Sequence, residues 1–114
     1  MDKYFEIKKN DNFTIVTLLF SELSIEEADE FRTKFHSLAG DMEKKFIIDM
    51  AKCSFIPSLA LSVFISFDAE MKQKCGKVVF CSLTEQVRAI FKVTKLEEIF
   101  KIYPSLDEAK KAIL

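Results

Sequence analysis

"KKFIIDMAKCSFIPSLALSVFISF", residues 44–67, joins two apolar patterns at one proline. Residues 46–50 are a short run of bulky side chains around Asp49, the pattern of a strand buried on both faces. Pro57 holds its own φ and keeps Ile56 out of the α region, so the chain turns after Phe55-Ile56. A helix then begins at about Ser58 and runs to residue 75. Ser58 is expected as its N-cap, the hydroxyl accepting a bond from a backbone N–H two or three residues on. Ser58, Ser62, Ser66 and Glu70 recur every four residues and share one stripe, while Leu59, Leu61, Val63, Phe64, Ile65 and Phe67 cover the rest. The expected helix is mostly buried, with a narrow strip of small polar groups outside. Strand, turn and helix in that order form the repeating unit of a parallel α/β sheet.

The flanking sequence extends this unit in both directions. Residues 4–8 alternate weakly and suit an edge strand. Residues 13–20, "FTIVTLLF", are β-branched and apolar, and Asn10-Asp11-Asn12 between the two runs is turn chemistry, so a hairpin is expected. Ser24 and Glu27 spell a capping box for a helix over residues 24–39, with Ala28, Phe31, Phe35 and Leu38 inward and Gly40 ending it. Glu26, Glu27, Asp29 and Glu30 crowd its first turns and Lys34 lies nearer its end, which suits the helix dipole. After the central helix, Gly76 reads as a C-cap and residues 77–81 as a buried strand. Thr84 caps a helix to about Val93, with Val87, Ile90 and Phe91 inward. Residues 99–102 read as a short strand. Ser105 caps a last helix through a capping box with Glu108, with Leu106, Ala109 and Ile113 inward. The order β-β-α-β-α-β-α-β-α predicts a mixed, mostly parallel sheet with about four helices.

Composition narrows the function. The 114 residues suit one domain, 1–114, with an ordinary core built from 12 Phe and no Trp. A net charge of -1, with no basic run longer than two, argues against a nucleic-acid surface. The three cysteines, at 53, 75 and 81, form no Cys-x-x-Cys pair, so thiols packed as small hydrophobes are expected rather than disulfides or zinc ligands. The charged start and short apolar runs predict neither signal peptide nor membrane insertion, and hence a cytoplasmic protein. His36, the only histidine, is read as solvent-exposed, and no metal site is expected. Cys53 has no neighbouring base and is read as packing. Asp49, at a strand end, is read as bonding loop N–H groups. No glycine-rich phosphate loop occurs, so no catalytic residue and no cofactor are assigned.

The quoted stretch resembles the core of STAS domains, the bacterial anti-sigma factor antagonists. Phe46-Ile47-Ile48-Asp49 matches that family's strand and its Asp, Phe55-Ile56 the pair before its motif, and Leu61 the motif Leu. Ser58 falls on the serine that the family's kinases phosphorylate. "GKVVFCSLTEQVRAIFKVTKLEEIFKIYPSLDEA", residues 76–109, looks like the family's closing strand, helix, strand and helix. The motif is degenerate: Pro57 stands where the family has Asp, Leu59 where it has Ser or Thr, and Ala60 where it has Gly. Phe20-Ser21-Glu22 replaces a glycine-like position after the second strand.

The resemblance implies a STAS-like fold and a transcription regulator that binds an anti-sigma factor, itself a serine kinase. Ser58 would be the phosphoacceptor, with a phosphatase reversing the step. Pro57, Ser58, Leu59, Ser62, Ser66, Ser21 and Glu22 would form the partner face. A phosphate on Ser58 would be held by the helix N-terminus and would set charge on a surface that has almost none. Two other readings stay open beside this one. The chain would serve as a STAS accessory subunit of a bacterial lipid-transporting ATP-binding cassette complex, or as a small-ligand sensor. On the residues alone, Ser58 is a helix cap or a switch.

Overall fold

The computed structural model describes residues 3–40 and 43–114. Its elements run β1 (Phe5–Lys9), β2 (Thr14–Leu18), α1 (Ile25–Ser37), β3 (Lys45–Asp49), α2 (Ser58–Gln73), β4 (Lys77–Cys81), α3 (Glu85–Val93), β5 (Lys101–Tyr103) and α4 (Leu106–Ile113). Short 3-10 turns follow α1 and α3, at Leu38–Gly40 and Leu96–Glu98. The predicted element order holds throughout. The five strands lie in the order β1-β2-β3-β4-β5. β1 pairs with β2 antiparallel, and every later pair is parallel. The hairpin turn is built by Asn10, whose Oδ1 accepts from the N–H groups of Asn12 and Phe13, both at 2.8 Å.

Alternation along the strands divides the core. Val16, Leu18, Phe46, Ile48, Val78 and Phe80 face one side, where α1, α2 and α3 pack through Phe31, Phe35, Phe64, Phe67, Val87 and Phe91. Ile15, Ile47, Val79 and Cys81 face the other, covered by Ala109 and Ile113 of α4. Both faces of β3 and β4 are therefore buried, which explains why their sequences read as continuous apolar runs. Every phenylalanine but Phe55 is buried. The rings form a connected set: Phe35 lies 5.6 Å from Phe64, Phe64 5.5 Å from Phe80, and Phe80 4.6 Å from Phe100, centroid to centroid.

Helix starts follow the predicted caps at three of the four helices. Ser24 Oγ accepts from Glu27 N–H at 3.1 Å, and Glu27 Oε1 accepts from Ser24 N–H at 3.1 Å, so the box is complete. Those contacts and Lys3 hold the Glu27 carboxyl below its ordinary pKa. Thr84 Oγ1 accepts from Val87 N–H, and Ser105 Oγ from Glu108 N–H. Only this half of the box expected at Ser105 is formed. Ile90 and Leu106 are half-buried rather than fully inward.

The glycines act differently from expectation. Gly40 closes the 3-10 turn after α1 without a positive φ. At the end of α2 the left-handed position is taken by Cys75, at φ 60, not by Gly76. Cys75 N–H donates to Lys72 O at 3.1 Å and Gly76 N–H to Met71 O at 2.7 Å, the paired bonds of a Schellman motif. Gly76 is needed for space instead. A Cβ there would stand 2.6 Å from both Lys44 O and Met71 Cε, whereas nothing lies within 4 Å of one built on Gly40. Gly76→Ala is accordingly expected to cost about 1–3 kcal/mol of stability through overpacking. Gly40→Ala should be neutral or stabilising by up to about 1 kcal/mol through the unfolded chain. Urea denaturation of the two variants checks both.

Candidate functional site

The sequence singled out the start of α2, and the structure places it at the carboxyl end of the parallel strands. That is where open α/β sheets offer their loops for binding. The connection from β3 to α2 is tied on several sides. Asp49 Oδ1 accepts from Ala51 N–H at 3.1 Å, the loop role read for it in the sequence. The Cys53 thiol is buried and donates to Phe20 O at 2.8 Å. Burial pushes its pKa up to about 11, so it is a packing group and a weak donor rather than a nucleophile. Ser54 Oγ and Ser21 Oγ share a hydrogen bond at 2.8 Å, and Thr84 Oγ1 donates to Cys53 O at 3.1 Å. Thr84 thus caps α3 and holds the loop before α2 at once. Sequence reading found the cap and missed the tie, which no local pattern encodes.

Ser58 is not the N-cap. Pro57 occupies that position, at φ -64 and ψ 150, and its carbonyl accepts from Ala60 N–H at 3.0 Å and Leu61 N–H at 3.2 Å. The reason is Pro57 itself, whose fixed φ suits the extended cap residue, leaving Ser58 as the first helical residue. Pro57 offers no side-chain acceptor. The N–H groups of Ser58 and Leu59 meet no acceptor among the described residues. Ser58 Oγ likewise makes no hydrogen bond to any described residue, and the side chain is exposed.

The exposed face of α2 is broader and more apolar than the predicted narrow strip. Ser58, Ser62 and Ser66 lie on it, but so do Leu59, 53% exposed, and Ile65, 43% exposed. Three helices share one sheet face, and α2 in the middle is left with an uncovered outer side. Ser62 Oγ is turned back onto Leu59 O at 2.7 Å, so it presents little more than its small size. Phe55, 51% exposed, stands just before Pro57, and Ile25, 83% exposed, opens α1 alongside. A groove of about 310 Å³ separates the two helices, lined by Ile25, Ala28, Asp29, Arg32, Leu59 and Ser62 among others. Pro57 is half-buried. Ser21 is half-buried and Glu22 exposed, both on the loop that Ser54 binds. Of the predicted partner residues, Ser66 lies farthest along the helix. Phe55 and Ile25 were not predicted as site residues. The signal for Phe55 was a large ring beside a proline in a loop, outside any helix or strand period.

His36 is half-buried rather than solvent-exposed, with Nδ1 3.4 Å from Glu70 Oε1, because it faces α2 across the helix pair.

Comparison with known proteins gives this arrangement a family. The STAS domain model matches residues 4–109. The chain belongs to the STAS domain family. This STAS chain is 21% identical over 98 residues to a putative anti-sigma factor antagonist, BtrV, of Bordetella bronchiseptica, covering 86% of this chain and 84% of that one. A crystal structure of a putative anti-sigma factor antagonist from Thermotoga maritima is 26% identical, with a TM-score of 0.81 over 96% of this chain and 93% of that one. The anti-sigma factor antagonist SpoIIAA in its unphosphorylated form superposes with a TM-score of 0.78 at 17% identity, covering 96% and 95%. The Bacillus SpoIIAA structure in the phosphorylated form gives 0.71 at 16% identity, covering 96% and 99%. No helix among the described residues is long and apolar enough to cross a membrane.

The thiols give a direct check of the site's packing. Burial raises Cys81 to about 11 as well, while Cys75 is exposed. At pH 8 a thiol of that pKa is thiolate in only about one molecule in a thousand. Iodoacetamide should therefore modify Cys75 in the folded protein and reach Cys53 and Cys81 only after denaturation, as read by peptide mass mapping.

Proposed function

We propose that this STAS domain is an anti-sigma factor antagonist that docks its anti-sigma factor on the face formed by Phe55, Pro57, Ser58, Leu59, Ser62 and Ser66, with Ser21 and Glu22 at its rim. The observation that carries the reading is the exposure of Phe55 and Leu59 on either side of an unbonded serine, in a chain whose other phenylalanines are all buried. Large apolar side chains around small ones suit close approach by a partner. The first charged side chain of α2 is Asp68, so the docking half of the helix carries no charge.

The serine kinase activity of the partner would transfer the terminal phosphoryl of ATP to Ser58 Oγ, releasing ADP. The phosphate would be received by the free N–H groups of Ser58 and Leu59, which lack a side-chain cap, and so would not unfold α2. It would set about two negative charges on an uncharged contact surface and expel the partner. A phosphatase would reverse the state. The support from outside is that SpoIIAA occurs in both forms and that BtrV bears the antagonist description. The chain acts here by binding, as a cytoplasmic regulator folded as one domain.

One observation favours a second reading. Pro57, Leu59 and Ala60 replace the motif residues around Ser58, which suits constant docking without a phosphorylation cycle. The partner would then be a transporter ATPase, with the chain as accessory subunit.

Pull-down from native cells with unmodified protein, Ser58→Asp and Phe55→Ala distinguishes the two. Capture of an ATP-binding kinase by the unmodified bait, lost with Ser58→Asp, is the expected result. Transporter subunits held equally by unmodified and Ser58→Asp baits would replace it with the second reading. Phe55→Ala should weaken capture by about tenfold or more while changing stability by less than about 0.5 kcal/mol, since an exposed ring contributes little to the fold.

A further inference from the structure

A second concavity lies at the other end of α2, away from Ser58. β4 begins at Lys77, but β5 pairs only with Val79, Phe80 and Cys81. The sheet edge is therefore stepped, and a cavity of about 240 Å³ fills the step. Val78, Val79, Ile99 and Ala112 supply its apolar lining. Lys72, Lys77, Lys101 and Tyr103 stand around it with Asp68.

The charges are unbalanced. Asp68 is buried, and its Oδ2 holds Lys72 Nζ at 3.0 Å. That pairing uses the one carboxylate among the lining residues. Lys77 and Lys101 have no ion-pair partner among the described residues. With Lys72 paired to Asp68, Lys77 and Lys101 leave the lining with an excess of positive charge, which attracts an anion. Lysine is a mobile point charge without a fixed fork, so it suits a phosphate or a carboxylate without demanding one orientation. The volume is below the range of about 300–1,000 Å³ usual for drug-sized ligands, which limits the body to one ring or a short chain.

We propose that the step at the β4–β5 edge is a binding site for a small organic anion, with its phosphate or carboxylate among Lys72, Lys77 and Lys101 and its apolar body on Val79, Ile99 and Ala112. This site is independent of the partner face. The lysines come from α2, the adjoining β4 and the more distant β5, and none of them was singled out as a site residue by the sequence reading.

Amide spectra of the ¹⁵N-labelled protein, titrated separately with phenyl phosphate, benzoate and inorganic phosphate, test it without any protein partner. Saturable shifts at residues 72, 77–79 and 99–103 with an organic anion are expected, and inorganic phosphate should not saturate over the same range. Tighter binding of phenyl phosphate assigns the charged group as phosphate, and tighter binding of benzoate as carboxylate. Lys77→Gln and Lys101→Gln should each weaken binding about three- to fivefold, as loss of one exposed charge does. Ala112→Leu, which adds bulk to the lining and leaves the charge unchanged, should weaken it about tenfold or more. The proposal falls if neither organic anion saturates, if inorganic phosphate binds as well as they do, if the shifts centre on residues 57–60, or if the three substitutions leave the affinity unchanged.

Discussion

The packing of Phe35 against Phe64 and Phe67 is the constraint from which the rest follows. The centroids stand 5.6 and 4.8 Å apart, with the rings edge to face, the arrangement their quadrupoles prefer. Phe64 then meets Phe80 on β4, and Phe67 meets Phe46 on β3 at 5.1 Å. These contacts lock α2 against both α1 and the sheet. Rotating the helix by a quarter turn would break all of them together. The rotation of α2 decides which of its side chains meet solvent, so ring packing in the core selects the serine face outside it.

Rotation alone would not place the first turn of α2. The loop before it is held at its other end by the Cys53 thiol on Phe20 O, by the Ser21–Ser54 pair and by Thr84 on Cys53 O. Pro57 then removes backbone freedom at the helix start. A site positioned by a packed helix and a tied loop keeps its geometry whether or not a partner is present. Its control has to come through charge and size at the surface rather than through refolding.

Much of this was legible in residues 44–67. The strand, the proline turn and the helix are local, and each has its own periodicity or breaker. The boundaries moved by a residue or two because strand ends depend on partners: residues 13–20 could all extend, but β1 and β3 pair only with Thr14–Leu18. β5 shifted from residues 99–102 to Lys101–Tyr103 because its register is set by β4. Cap chemistry was legible where an oxygen side chain stood alone before an apolar period, as at Ser24, Thr84 and Ser105. It misled at Pro57-Ser58, where two residues competed for one position and the one with fixed φ took it. Exposure was the least legible property. Leu59 and Ile65 look like core in any hydropathy pattern, and only the placement of α1 and α3 leaves them outside. The lysine-ringed step had no local signature at all.

The two sides of the sheet are unequally insulated. Three helices and most of the rings cover one side, while α4 alone shields Ile47, Val79 and Cys81 on the other. α4 is short, Leu106–Ile113, and its C-cap is Leu114. Regions with few buried apolar contacts open at lower free energy than the global unfolding reaction. The molecule should therefore breathe asymmetrically. Amide protons of α4 and β5 would exchange with solvent well before those of α2, while the serine face stays ordered through such openings.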